Sequence, residues 1–206
     1  EKEIVEFQNK EIRESINYAK RIQASILPPF QKVKEHLKDC FIYYEPKDIV
    51  SGDFYWFEHV NNKPMLAVVD CTGHGVPGAF MSILGTQLLN EIDNFNQSPA
   101  QMLDELREKL KIAMKQSDYF TSQRDGMDIG LCCIDTSKKT LQYAGANIPL
   151  YLIKDVKGKP EFMEIKADRM PLGYYQSKDV SFVNHDLQLD RGYALYMFSD
   201  GFIDQK

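Results

Sequence analysis

An apolar, β-branched run that stops on a carboxylate and passes straight into glycines limits how this chain can fold more than any other feature. Met65 to Val69 reads as a buried strand, and Asp70-Cys71-Thr72-Gly73-His74-Gly75-Val76-Pro77-Gly78 follows it. The pattern predicts a strand that delivers an acid to a flexible, exposed turn. Pro77 suits the first turn of a helix, where its missing N–H is not needed. Ala79, Phe80, Ile83, Leu84, Leu88 and Ile92 then supply an apolar helical stripe.

A carboxylate at the end of a buried strand is costly unless it is hydrogen-bonded, paired or bound to a metal. Asp70 alone could simply cap a turn. The same device recurs, however: Leu195-Tyr196-Met197-Phe198 runs into Ser199-Asp200-Gly201, and Asp53 stands at the head of the aromatic run Phe54-Tyr55-Trp56 after Ser51-Gly52. Three strand-end acids beside glycines are what an all-oxygen site for a hard divalent cation requires, because glycine lets backbone carbonyls turn toward the ion.

Composition narrows the function classes. The 206 residues suit one large domain, or one domain with an appendage, and 43% hydrophobic with 27% charged residues is ordinary for a soluble globular fold. A formal net charge of -5 offers no basic face for nucleic acid. No apolar run approaches the ~20 residues of a membrane-spanning helix, so no membrane contact is expected. Cys40, Cys71, Cys132 and Cys133 contain no C-x-x-C pair, and His36, His59, His74 and His185 are scattered, which argues against a thiolate zinc site. Buried free thiols and a cytoplasmic, reducing location are expected.

Taken in order, residues from about Lys2 to Leu27 carry Val5, Ile12, Ala19 and Ile26 at seven-residue steps, with Ile16 and Ile22 between, and Pro28-Pro29 ends the pattern. This reads either as an amphipathic helix packed on its own domain or as a coiled-coil linker to another domain or subunit, the division falling at 1–29 and 30–206. Strands are predicted at Cys40–Tyr44, Asp53–Val60 and Met65–Asp70, the last two being hairpin partners across Asn61-Asn62-Lys63-Pro64. Hairpin pairing would put Asp53 and Asp70 at one end of the sheet. Helices follow to near Asp93 and from Pro99 to about Gln116, the second with Met102, Leu103, Leu106, Leu110 and Met114 as a packing face. Strand character then recurs at Met127–Ile134, Thr140–Ala144, Leu150–Ile153, Glu161–Ile165, Val180–Leu187 and Tyr193–Phe198, with Val156-Lys157-Gly158-Lys159 among the turns. Two consecutive helices between groups of meandering strands imply an α+β fold of antiparallel sheet packed on sheet with helices outside.

Taken together the motifs resemble the SpoIIE/RsbU-type branch of the metal-dependent (PPM, 2C-like) protein serine/threonine phosphatases. The likeness runs through Arg21-Ile22-Gln23-Ala24-Ser25-Ile26-Leu27-Pro28, Ser51-Gly52-Asp53-Phe54-Tyr55, Asp70 to Pro77, Tyr143-Ala144-Gly145-Ala146-Asn147, Pro171-Leu172-Gly173 and Ser199-Asp200-Gly201. The resemblance implies an αββα sandwich holding two Mn²⁺ or Mg²⁺ ions at one edge. It also implies that Asp70 bridges both ions, that Asp53 and the backbone carbonyl of Cys71 hold one, and that Asp200 holds the other. Two such cations would make hydroxide available near neutral pH for in-line attack on a phosphoserine or phosphothreonine. The implied setting is bacterial signal transduction of the stress-response kind, with a phosphorylated STAS-type, anti-sigma-factor-antagonist-like protein as substrate and an upstream sensor domain; the heptad spacing of the N-terminal helix adds the expectation of a homodimer through it.

Two departures from that pattern stand out. The family usually has His where this chain has Ala146. Members also continue past the Asp-Gly motif to a further metal-binding Asp, so a sequence stopping at Lys206 is expected to be a C-terminally truncated domain that binds fewer than two metals tightly and catalyses poorly. His74 could act as a general acid or metal ligand, or serve only the turn. Asp128 is either an additional acid of the site or a turn residue, and Arg124 is a candidate phosphate contact against the default of a surface arginine. Ser51-Gly52-Asp53-Phe54 superficially resembles a diguanylate cyclase signature, but no Glu follows the Asp. The stronger rival is a catalytically inactive pseudo-phosphatase acting as a dimerising signalling module, against which the joint presence of Asp53, Asp70 and Asp200 argues.

Overall fold

The fold starts from a hairpin. β1 (Phe54–Val60) and β2 (Lys63–Cys71) pair from Val60 with Lys63 up to Phe54 with Val69. Asn61 and Asn62 between them both have positive φ, 52° and 60°, which is the two-residue turn whose twist suits adjoining strands and whose backbone asparagine tolerates. The structure, a computed structural model, describes residues 2–92, 96–115, 125–156, 158–173, 180–189 and 192–202. Asp93, Gln116, Arg124, Lys157 and Lys206 lie outside the described residues.

The hairpin is one edge of a five-stranded antiparallel sheet. β3 (Met127–Asp135) pairs with β2, β4 (Thr140–Ala146) pairs with β3, and β7 (His185–Gln188) pairs with β4, giving the order β1-β2-β3-β4-β7. A second sheet has the order β6-β5-β8, from β5 (Leu150–Val156), β6 (Lys159–Ile165) and β8 (Tyr193–Tyr196). Helices α3 (Gly75–Asn90) and α4 (Pro99–Ala113) pack on the first sheet, and α1 (Lys2–Ile26) packs on α3.

The two-residue alternation of β3 sorts the layers. Ile129, Leu131 and Cys133 join Leu103, Leu106 and Leu110 of α4 in the helix-side core. Cys132 and Ile134 point the other way, where Leu150, Leu152, Leu195 and Met197 of the second sheet meet them. Buried on both faces, β3 is nearly all apolar, which is the composition such a strand needs. The described residues thus supply two packed antiparallel sheets and one helical layer of the expected sandwich. No helix among them is long and apolar enough to cross a membrane.

Several local expectations are corrected. Cys40–Tyr44 is not a strand: it has no ladder partner, and Phe41 and Tyr43 are largely exposed. Strand propensity measures fit to a half-buried pleated surface, and this segment has no such surface to join. The run from Val180 is strand only at His185–Gln188. A short helix, α2 (Phe30–His36), follows Pro29 where none was expected. In α3, Ala79 and Leu88 of the expected stripe are buried together with Met81, Ser82, Gly85, Thr86 and Leu89, while Phe80 lies exposed. The small residues win that face because α3 crosses close to β1: a Cβ on Gly85 would stand 2.9 Å from the Phe54 ring. α4 keeps the expected face, with Met102, Leu103, Leu106 and Leu110 fully buried, and Ser98 and Gln101 form a capping box at its start.

Candidate metal centre

Strand register assembles the acids. Phe54 pairs with Val69, so Asp53 comes level with Asp70; Asp70 itself pairs with Asp128; and Ile129 pairs with Ala146, bringing Asp128 level with Asn147. Val69 and Ile129 belong to the helix-side core, so Asp70 and Asp128 project toward the second sheet. From that sheet, β8 leads into Ser199 and Asp200, and the Ser199 hydroxyl donates to Asp53 Oδ2 at 2.6 Å. The acids therefore gather where the two sheets open at one end. Asp70 lies in β2 as expected and is half-buried; the strand runs one residue further than predicted, and the turn begins after Cys71.

Burial and crowding change the chemistry of Asp70. Desolvation raises its pKa most, and the neighbouring Asp53 and Asp200 carboxylates raise it further, pushing it up to about 8. Asp128 is also raised, by burial first and by Asp200, while the hydrogen bond from Asn147 pulls it back. Among the described residues, the charged groups acting on Asp70 are both acids. Such a set favours either protons or a cation among its members, and its all-oxygen character fits a hard divalent ion. Among the described residues no three His, Cys, Asp or Glu side chains close into a cage tight enough for an ion, so the fit lies in donor type and shared location. The Cys71 side chain is buried in the helix-side core, and burial raises its thiol pKa, which leaves its backbone carbonyl as the group available to the site.

The loop after Cys71 is held by close backbone contact. Gly52, just before Asp53, lies against Gly78 at the start of α3: a Cβ on Gly78 would stand 2.5 Å from the Gly73 carbonyl oxygen and 2.9 Å from the Gly52 Cα. Only glycine permits that approach. Thr72 Oγ1 accepts from the Gly126 N–H and donates to its carbonyl, both at 3.0 Å, tying the loop to the residue before β3. His74 is exposed, and its Nδ1 lies 2.7 Å from Asp48 Oδ2.

Gln23 is the residue whose importance the sequence hides. It is the one buried residue of α1; its Nε2 donates to the Ser51 carbonyl at 2.6 Å and to Ser82 Oγ of α3 at 2.8 Å, and its Oε1 accepts from the Ser51 N–H at 3.0 Å. Ser51 Oγ in turn accepts from the Asp53 N–H at 3.0 Å, and the Tyr44 hydroxyl donates to the Asp53 carbonyl at 3.2 Å. The N-terminal helix thus grips the backbone two residues from a site acid. Outside the motif Arg21 to Pro28, a glutamine within a polar, charge-rich helix carries no signal of this; Ser199 and Asn147 likewise give none outside their motifs.

A family model described as Stage II sporulation protein E (SpoIIE) matches residues 61–206, well over half of the chain. The chain belongs to the SpoIIE family. It is 24% identical over 192 residues to the phosphoserine phosphatase RsbU of Bacillus subtilis, a match that covers 93% of this chain but only 54% of RsbU. Among solved structures, the SiaA-PP2C domain of Pseudomonas aeruginosa is similar with a TM-score of 0.81 and 33% identity, over 96% of this chain and 75% of that one. The PP2C phosphatase domain of SpoIIE from Bacillus subtilis, with a fragment of its regulatory domain, shares the fold at a TM-score of 0.58 and 21% identity, over 75% of this chain and 42% of that one. This SpoIIE-family chain therefore has the PP2C-type sandwich, and its acids sit at one open end of it.

Proposed function

We propose that this SpoIIE-family chain hydrolyses phosphoserine or phosphothreonine on a protein substrate, using Mn²⁺ or Mg²⁺ held by Asp53, Asp70, Asp200 and the Cys71 carbonyl. The observation that carries the reading is the acid cluster itself, in which Asp53 and Asp70 of the first sheet meet Asp200, which follows β8 of the second, and in which the charged groups found to act on Asp70 among the described residues are acids. Bound divalent ions supply the positive charge that activates water and neutralises phosphoryl oxygens.

The chain's own residues prepare for that chemistry. Asp70 stands between Asp53 and Asp128 in the sheet row and would be among the residues that hold the ions. The Ser199 hydroxyl fixes the Asp53 carboxylate, and the Ser51 hydroxyl fixes its backbone. Asp200 is exposed, so a phosphorylated side chain reaches the cluster from solvent without the sandwich opening. The similarity to a phosphoserine phosphatase supports the substrate class. Residues 1–29 act as a linker helix that relays the state of a sensor domain and pairs with a second copy, and residues 30–206 carry the site. The macromolecular substrate is a STAS-type, anti-sigma-antagonist-like protein, and the setting is the cytoplasm.

The test is Mn²⁺-dependent release of phosphate from a phosphoserine peptide. Asp70→Asn should lower turnover by several orders of magnitude while leaving the melting temperature in metal-free buffer equal or higher, since a charge is lost and no core contact. Unchanged turnover in that variant overturns the assignment. Tight Mn²⁺ binding by the wild type with no hydrolysis of any phosphoserine peptide would instead favour the inactive signalling module.

A further inference from the structure

The fourth position of the acid row is not an acid. Asn147 comes level with Asp128 across β3 and β4, and its Nδ2 donates to Asp128 Oδ1 at 2.8 Å. Its neighbour Ala146 is fully buried in the helix-side core, so of these two residues it is Asn147 that offers a polar side chain at this end of β4. The backbone there is left-handed, with φ of 59°, a conformation that asparagine adopts more readily than most residues. It is clamped on both sides: the Asn147 N–H donates to the Asp168 carbonyl at 2.9 Å, and the Asp168 N–H donates to the Gly145 carbonyl at 2.9 Å. The exposed side chain therefore leaves the sheet from a fixed backbone point and reaches Asp128 from there. A carboxylate can only accept, so the amide must present its N–H₂ to Asp128.

Asp128 lies directly opposite Asp70, within the roughly 5 Å between Cβ atoms that cross-strand pairs keep. Without a partner the Asp128 carboxylate is free to rotate away from Asp70. The hydrogen bond from the Asn147 amide opposes that rotation.

We propose that Asn147 is a positioning residue of this site: it holds Asp128 in place beside Asp70 as a fourth acid, and so strengthens divalent-cation binding without touching the ion. The inference rests on the metal-dependent reading above. Calorimetric titration of the full 206-residue chain with Mn²⁺ alone tests it, for wild type, Asn147→Gly, Asp128→Asn, the double variant and Asp70→Asn. Glycine keeps the positive φ without strain, so the backbone clamp survives, and an unchanged melting temperature in chelator checks this. Removing a partner that orients a metal ligand costs about 10- to 100-fold in affinity. Asn147→Gly should lose affinity by about 10-fold, Asp128→Asn by at least as much, and the double variant no more than Asp128→Asn alone. Wild-type affinity in Asn147→Gly, or losses that simply add in the double variant, overturns the positioning role. If wild type and Asp70→Asn bind Mn²⁺ equally weakly, it is the metal-site reading that fails and not the role of Asn147 within it.

Discussion

Asp70 shows how a residue's neighbours decide its chemistry. Its pKa is raised to about 8 from an ordinary 3.8, so between about pH 4 and pH 8 the folded, metal-free protein keeps a proton on Asp70 that the unfolded chain has released. The stability this contributes is fully present below pH 4 and is lost as pH rises through 8. We expect the melting temperature in chelator to fall as pH is raised from 5 to 8, and Asp70→Asn to flatten that fall. Thermal denaturation at a series of pH values measures both; an equal slope in the two proteins would mean that Asp70 does not carry the proton. Saturating Mn²⁺ should reverse the trend, because a cation favours the ionised form of the same groups.

At the scale of elements, the joint between α1, α3 and the loop before β1 carries the site's adjustability. Gln23 pairs with the Ser51 backbone as another peptide would, and its amide also reaches α3 through Ser82. Truncating it leaves the Ser51 N–H and carbonyl buried and unpaired, at a cost of about 1–3 kcal/mol. Gln23→Ala should therefore lower stability by that order in chemical denaturation. It should also weaken Mn²⁺ affinity, since Ser51 holds the Asp53 backbone. Lost stability with unchanged affinity would make Gln23 a structural residue only. The Gly52–Gly78 contact makes the opposite kind of demand: Gly78→Ala forces a methyl to within 2.5 Å of a backbone oxygen, so loop and helix must separate. Less Mn²⁺ binding, with the sheet intact by circular dichroism, is the expected result.

For the whole molecule, the question is what α1 does beyond its packed end. Ile16, Ala19, Gln23 and Ile26 turn inward, but Ile4, Val5, Phe7 and Ile12 are each more than half exposed. A stretch of about 15 exposed helical residues is marginal alone in water, so a partner for the apolar stripe is expected. A second copy fits the exposed Val5 and Ile12, which stand seven residues apart. Sedimentation should show a concentration-dependent dimer that Ile12→Asp with Ile22→Asp converts to monomer. If the helix also transmits a signal through Gln23, the same variant should shift the Mn²⁺ dependence of turnover. A variant that stays dimeric refutes the association; a monomer with unchanged kinetics refutes the coupling.

The acids were legible in the sequence because a strand that ends on Asp beside Gly is a local pattern, and the hairpin of β1 and β2 placed two of them together before any coordinates. The α4 face was legible for the same reason, since one clear stripe on a polar helix admits one packing. The register of β2 on β3 and of β3 on β4 was not, and it alone recruits Asp128 and Asn147, which lie 58 and 77 residues beyond Asp70. Nor could sequence choose the buried face of α3, a helix apolar on nearly every side, because the choice depends on how closely β1 approaches. Gln23 marks the limit most clearly. Its hydrogen bonds are to backbone and to a serine that any sequence could supply, so only tertiary contact turns an ordinary glutamine into the tie between helix and site.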